Sequence, residues 1–320
     1  MSLGNLYQPL RRLIEVTYSL LLIISVFFTV ASAGDYWHLE NGGSSMKILS
    51  IQGSPREAAM AGSGVATPRS AAEALRNPLA TAAVSSSTLN FSKINFSNKV
   101  GASHIAMVAH TPLSVLGGLH LSAGLESLNY DPIQGYNEDG LTADNLEFGS
   151  GTVAAQIGVA KEFKQSVFGI SARYASQNID YYYYQGVLFD GGAKLNAGDF
   201  LTFGAIFTNF GFLTDGETAP LAVQAGITAS HSLPLDLNGS LSADLYRRND
   251  QTEQWRLGGE LSYKEFFAVR LGYPISKNSS DNDALSAGFA VAVSFVSVEY
   301  AYQNRTALGA NHIFGIGLKW

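Results

Sequence analysis

The chain has 320 residues and a formal charge of −6; 46% of its residues are hydrophobic and only 14% are charged. Soluble domains average about 25% charged residues, so the scarcity of charge points toward a membrane. Beyond the N-terminus, however, no apolar run reaches the ~20 residues that a spanning helix needs. With no cysteine, disulfides, thiolate metal sites, a cysteine nucleophile and a lipoprotein anchor are excluded. The acidic balance and singly scattered Lys and Arg, with Arg247-Arg248 the densest pair after the N-terminal segment, argue against a nucleic-acid partner.

In chain order, Arg11 and Arg12 precede an apolar stretch over 18–30, and Ala31-Ser32-Ala33 follows it. A positive region, an apolar region and a small-x-small site form a cleavable export signal. Residues 1–33 are therefore read as a signal peptide, with the mature chain starting at Gly34.

Residues 34–85 do not alternate. Ser54-Pro55-Arg56-Glu57 reads as a helix start, with Ser54 as N-cap, Pro55 at the first helical position and Glu57 at the capping-box position. Gly62-Ser63-Gly64 stops it. An alanine-rich segment over 70–75 ends near Asn77-Pro78. This helical segment is either a plug for the lumen of a barrel or a tail lying outside it.

From residue 86 to 320 the chain alternates with a period of two. Leu119, Leu121, Ala123 and Leu125 oppose His120, Ser122, Gly124 and Glu126; Val115 and Gly117 extend the first set. Leu221, Val223, Ala225 and Ile227 oppose Gln224, Gly226 and Thr228. Leu235, Leu237, Leu241 and Leu245 oppose Asp236, Ser242 and Asp244. Trp255, Leu257, Leu261 and Tyr263 oppose Arg256, Glu260 and Ser262, and Phe289, Val291, Val293 and Phe295 oppose Gly288 and Ser294. Successive strand side chains point to opposite faces, so such segments build a sheet with one apolar and one wet side. About fourteen segments are present, an even number that suits ~10-residue spans. Trp255, Tyr263, Tyr273, Tyr300, Tyr302 and Trp320 sit near segment ends, as an interfacial girdle would. The expected fold is all-β, a transmembrane antiparallel β-barrel of about fourteen strands with a short N-terminal helical plug. The last segment puts His312, Phe314, Ile316, Leu318 and Trp320 on one face. Its terminal aromatic resembles the signal by which outer-membrane barrels are handed to insertion machinery, with Phe314 and Trp320 as the residues concerned.

The run GSPREAAMAGSGVATPRSAAEALRNPLA resembles the opening of the PorV/PorQ family of outer-membrane proteins, relatives of FadL-type barrels. Arg56, Gly62, Gly64, Asn77 and Pro78 match its plug motif, while Leu79 stands where alanine is usual. The stretches after Leu128 and after Leu285 resemble the family's long loop, its acidic-Tyr-Ala-Tyr strand (Glu299 here) and its final strand. The resemblance implies a fourteen-stranded, non-enzymatic barrel in the outer membrane of a Gram-negative bacterium, working in or beside a type IX secretion system. Its partners would be membrane lipids, the insertion machinery, and secreted or surface-attachment proteins. The alternative, from the same FadL-type likeness, is a channel for hydrophobic small molecules, which requires an apolar pocket beside the plug and a kink or gap in a strand. A general diffusion porin would need an unobstructed lumen.

No cofactor or metal site is read from the sequence. The six histidines show no i, i+4 pair and are taken as isolated, and no G-x-S-x-G elbow occurs. The acidic stretch 131–147 lacks EF-hand spacing and reads as a solvated external loop. With residues 181–196 it is the candidate partner-contact region, carried by Tyr130, Asp131, Tyr136 and Asp139. Tyr181, Tyr182, Tyr183 and Tyr184 read as interfacial aromatics and lumen packing.

Overall fold

The computed structural model describes residues 43–96, 102–113, 117–136, 142–276, 284–305 and 309–320. The expected signal peptide, Val115 and Asp139 lie outside these residues. Two-residue alternation gives strands β1 (Thr88–Asn95), β2 (Ala102–Leu113), β3 (Leu119–Tyr130), β4 (Ile133–Tyr136), β5 (Thr142–Phe148), β6 (Ser150–Glu162), β7 (Ser166–Ile179) and β8 (Tyr182–Ala197). They continue as β9 (Leu201–Leu213), β10 (Ala222–Leu233), β11 (Leu237–Arg248), β12 (Gln254–Tyr263), β13 (Phe267–Ser276), β14 (Ser286–Val293), β15 (Val296–Arg305) and β16 (Gly309–Lys319). Fourteen of them close into a barrel in the order β1-β16-β15-β14-β13-β12-β11-β10-β9-β8-β7-β6-β3-β2, while β4 and β5 form a separate hairpin. β1 closes antiparallel on β16, from Thr88 opposite Lys319 to Asn95 opposite His312, so the sheet has no free edge.

The alternation sorts side chains as a membrane barrel requires. On β16, Phe314, Ile316 and Leu318 face outward, while Asn311 and Ile313 face the lumen. Most short turns lie at one end, with Leu235 and Asp236 both at positive φ in a tight hairpin and Lys264 and Ser294 likewise; the tight β7–β8 turn at Asp180 lies at the other. The longer connections 131–149, 214–221 and 249–253 gather at the other. Exposed Tyr263, Phe266, Phe295 and Trp320 ring the turn side, and Trp255, Tyr273 and Tyr302 lie toward the loop side. Tyr300 falls nearer mid-strand, packed on Phe289 and Phe314.

Several expectations are corrected. The stretch 131–147 is not one open loop, because it holds the β4–β5 hairpin. Residues 181–196 are mostly strand β8, joined to β7 by a tight turn at Asp180, which takes a positive φ. Leu221 does not face lipid; it precedes β10 and is buried in a connection that folds over the loop-side mouth. Leu235 and Phe295 are turn residues. β9 carries one extra residue opposite β8, between Phe189 and Gly191, and Asn209 takes a positive φ at this bulge.

Inside the barrel lies the segment ahead of β1. It contains a 3-10 turn (Lys47–Ser50), helix α1 (Pro55–Ala59), and 3-10 turns at Ala71–Leu75 and Pro78–Ala82. Pro55 opens α1 as expected, but Ser54 makes no side-chain cap. The capping box falls instead at Ser70 and Glu73, where the Ser70 hydroxyl accepts from Ala72 and the Glu73 carboxylate accepts from the Ser70 N–H. Glu57 lines a small internal space and makes no capping bond back to Ser54.

The plug packs unevenly. Toward β3 and β6–β9 two apolar clusters flank a band of polar contacts: at the loop side Met46, Ile48 and Leu49 meet Leu128, Ala154, Ala175, Leu188, Leu213 and Ala219. Below them Val65, Leu79 and Ala82 meet Ala160, Val167 and Ile206. Ala58 and Ala59 of α1 meet Ile94, Ala301 and Ile313 of β1, β15 and β16. Close approach is secured by lumen-facing glycines. A Cβ on Gly272 would stand 2.2 Å from the Met60 carbonyl carbon and 2.4 Å from the Ala61 nitrogen. Gly272→Ala should therefore cost about 1–3 kcal/mol through overpacking, read as a lower thermal unfolding midpoint. Gly259→Ala on the adjacent strand, whose Cβ would meet Leu241 at 3.4 Å, should leave the midpoint unchanged.

Candidate functional site

The candidate site is the junction between plug and wall, where the sequence places charged residues at the lumen-facing positions of apolar strands. A charge removed from water must be paired or it destabilises the fold by several kcal/mol, and the pairs here cross from plug to barrel.

At the centre, Arg76 of the plug donates to both carboxylate oxygens of Glu126 on β3, at 2.9 and 2.5 Å. It also donates to the carbonyls of Ile51, Leu75 and Ile48. One planar guanidinium thus ties two plug turns to one strand, a task for which its fixed fork of donors suits arginine. His104 on β2 meets the same carboxylate at 3.2 Å. Arg173 on β7 is fully enclosed, paired with Asp190 at 3.0 Å, and donates to Gln156, to Asn209 at 2.6 Å and to the Leu75 carbonyl. The bulge at Asn209 orients this side chain. Its backbone N–H donates to Asp190, and its amide donates to Leu49 O and Pro220 O.

Toward the turn side, Arg56 of α1 lies between Glu73 of the plug at 3.0 Å and Glu260 of β12 at 2.9 Å. Glu260 also receives Arg69 at 3.1 Å and Arg270 at 2.7 Å, and Arg270 reaches Glu299 at 2.7 Å. Burial alone would lower the Arg56 pKa, but Glu73 and Glu260 outweigh it and raise it. At the loop side Asp250 accepts from Ser44 and pairs with Lys47 and Arg248. Burial pushes the Asp250 carboxyl upward, yet hydrogen bonds from Lys47, Ser44 and Arg248 hold it below the ordinary carboxylate range.

Glu57 differs from these. Its Oε2 is buried and has no hydrogen-bond partner among the described residues. Burial pushes its carboxyl up to about 7, with Arg76 and Arg256 opposing and Glu73 adding to the rise.

The motif residues read in the sequence occupy these contacts. Arg56 carries the turn-side pairs. Gly62 and Gly64 have φ of 80° and 90°, the left-handed region that favours glycine. Asn77 accepts from the Leu79 N–H and donates to Val65 O, and Pro78 lies where a Cβ on Gly169 would come within 2.5 Å of its carbonyl oxygen. Phe314 and Trp320 are exposed on the lipid-facing and turn-side surfaces. Tyr130 ends β3 at the loop side with exposed Asp131 beyond it, and Tyr136 lies in β4. The plug residues and the loop residues are thus far apart in the fold and do not form one site.

The histidines are not all isolated. His110 on β2 and His120 on β3 stack with ring centroids 5.5 Å apart and nitrogens 3.3 Å apart. Their positions in adjacent strands, with Pro112 opposite His120, bring them together diagonally, a neighbourhood that spacing within one strand does not reveal. Among the described residues no group of three or more His, Asp or Glu could hold a metal ion.

Two outcomes follow. Arg76→Ala should cost about 3–5 kcal/mol, because it leaves Glu126 charged and buried, seen as a lower unfolding midpoint of the detergent-solubilised barrel. For Glu57, the folded state keeps a proton that the unfolded chain releases above 4.5, so stability should fall as pH rises from 4.5 to about 7. That loss, on the order of 3 kcal/mol, should be absent from Glu57→Gln, which matches the wild type at pH 4.5 and exceeds it above pH 7.

The sequence matches no protein-family model and no curated protein. The structure is similar to solved barrels. The toluene transporter TbuX of Ralstonia pickettii aligns at TM-score 0.59 and 13% identity, covering 88% of this chain and 99% of that one. The monoaromatic hydrocarbon channel CymD aligns at 0.57 and 11%, covering 84% and 97%. A deletion mutant of the monoaromatic hydrocarbon channel TodX aligns at 0.58 and 11%, covering 83% and 98%. At such identities the likeness is one of fold, a closed antiparallel β-barrel of fourteen strands.

Proposed function

We propose that this chain, seated in the outer membrane of a Gram-negative bacterium, is a passage for hydrophobic small molecules and carries out no chemistry itself. The observation that carries the reading is the apolar cluster of Met46, Ile48, Leu49, Leu188 and Leu213 beneath the loop-side mouth, beside a weakened stretch of wall. β9 runs five residues beyond its last pairing with β10, Thr208 opposite Ala222, while remaining paired to β8 as far as Leu213. The connection 214–221 turns inward there, with Ser45 donating to Thr218 O and Asn209 to Pro220 O. These side chains are packed together and closed to solvent, so an apolar molecule entering from the loop side has to part them to reach Leu49. Below it lie Arg76, Glu126, Arg173 and Asp190, whose pairing it cannot replace. The favourable exit is sideways, between β9 and the start of β10, past Phe210 and Phe212, which are exposed on the outer face. The similar fold of channels named for toluene and monoaromatic hydrocarbons supports small apolar substrates.

Expression in cells should raise toluene uptake above that of vector controls. Leu213→Asn, which makes the edge of the packed cluster polar at its most accessible member, should return uptake to the control level in membranes matched for the amount of folded barrel. Uptake equal to the control in the wild type would defeat this reading.

A second reading, the secretion scaffold implied by the PorV/PorQ resemblance, draws on the projecting β7–β8 hairpin, where Tyr181 is 92% exposed and Tyr182 66%. Its test is crosslinking in native outer membranes: recovery of secreted proteins through Tyr181 would support it, and recovery of the barrel alone would not.

A further inference from the structure

The side of the plug facing β10–β15 is built differently from the side facing β3–β9. Three cavities lie along it. At the loop side a cavity of about 280 Å³ is bounded by Lys47, Gln52, Arg248, Gln254, Ser286 and Gln303. In the middle a space of about 50 Å³ is bounded by Gln52, Glu57, Ser63, Glu73, Gln224 and Arg256. At the turn side a cavity of about 730 Å³ is bounded by Arg56, Arg69, Glu260, Arg270, Glu299 and Lys319. Gln52, Tyr246 and Arg256 line both of the first two. The middle and turn-side spaces are parted by Arg56, which lies on the turn-side cavity and pairs with Glu73 on the middle one.

We propose that this seam is a gated conduit for small hydrophilic solutes, meaning water and monovalent ions, whose middle space adjoins the apolar route at Leu49 and Asn209. Its first gate is Gln52, which accepts from Gln303 and abuts Gly62 and Arg256; a Cβ on Gly62 would meet the Gln52 amide nitrogen at 2.2 Å. The second gate is the Arg56–Glu73 pair. Both gates are side chains, which rearrange far faster than a plug can leave. A polar lining lets a small ion exchange its hydration for protein oxygens and guanidinium groups, and it excludes apolar molecules. The unpartnered Glu57 Oε2 belongs to the middle space, which is large enough for a few waters. Opening the second gate does not strip Glu260 of cations, because Arg69 and Arg270 remain on it.

The absence of cysteine makes the test direct. In proteoliposomes of the full chain, Ser63→Cys, on the middle space, should react with methanethiosulfonate ethylammonium faster than Thr81→Cys. Thr81 is fully buried and bonded to Ser122 on the other side of the plug. The expected ratio is at least about tenfold, the rate difference that ~1.4 kcal/mol of extra protection produces. In planar bilayers the double variant Arg56→Gln/Glu73→Gln should conduct several-fold more than the wild type, while Thr81→Cys placed in that background stays protected. Equal labelling rates at Ser63 and Thr81, or unchanged conductance in the double variant, would overturn the conduit. Labelling of Thr81→Cys in the double variant would overturn it as well, since the current would then come from a displaced plug.

Discussion

Pairing of buried charge across the boundary between plug and wall is the constraint on which this structure depends. Arg56, Arg76, Glu126, Arg173, Asp190 and Glu260 are all withdrawn from solvent, and none is satisfied by its own strand alone. Arg76 needs Glu126, Arg56 needs Glu260, and Arg173 needs both Asp190 and the Leu75 carbonyl. A barrel of this size without its plug would expose these groups to a water-filled lumen, and a plug without its barrel would have too little apolar surface to fold. The two are therefore one electrostatic unit, although the chain connects them only at the start of β1. Buried pairs add less net stability than well-packed apolar residues would. What they supply here is a single seating for the plug, because any rotation would strand several charges together.

The same constraint explains why the two sides of the lumen differ. Apolar side chains of the plug cluster against β3 and β6–β9, above and below the single polar band of Glu126, Arg173 and Asp190. Charged groups gather against β11–β13, where Asp244, Arg256, Glu260 and Arg270 project inward at successive lumen-facing positions of adjacent strands. Glu260 lies opposite Arg270 and pairs with it within the wall, whereas Asp244, opposite Arg256 in register, accepts instead from Gln224 and from the Val65 N–H of the plug. Cross-strand partners of opposite sign are favourable neighbours in an antiparallel sheet. Polar packing leaves gaps, since directional hydrogen bonds fix positions that space-filling side chains would otherwise adjust.

Much of the barrel was legible in the sequence, and the reason is local. Lipid outside and polar lumen inside impose a two-residue period on every strand, and that period is visible without knowledge of a neighbour. The Trp255-to-Tyr263 and His312-to-Trp320 segments show it most plainly, whereas the turns at Leu235-Asp236 and Lys264 were hidden because these residues continue the alternation of the neighbouring strands. The inward placement of Glu126, Asp244, Arg256 and Glu260 was legible for the same reason. Their partners were not. Arg76 and Glu126 are fifty residues apart and Arg56 and Glu260 over two hundred, and nothing in either segment encodes the other. The stacking of His110 on His120 was hidden because it depends on the register between β2 and β3. Ser54 and Glu57 have the capping-box spacing but make no such bonds, while Ser70 and Glu73, at the same spacing, do.

A polar centre need not conflict with an apolar cargo, because a barrel in a membrane has two low-dielectric regions separated by its wall. An apolar molecule that reaches the loop-side cluster is already beside lipid, with only the edge of β9 between them. Moving it down the lumen would require parting ion pairs that hold the plug, and losing such a pair costs several kcal/mol. Moving it through the wall requires only that a stretch already unpaired to β10 open further. The bulge at Asn209 makes this stretch separable. It anchors the plug, the connection 214–221 and Arg173 to one residue, so that the wall beyond Asn209 can move while the wall below it stays fixed. On this view the buried charges direct transport by making the axial route expensive, and the apolar cluster ends where the lateral route begins.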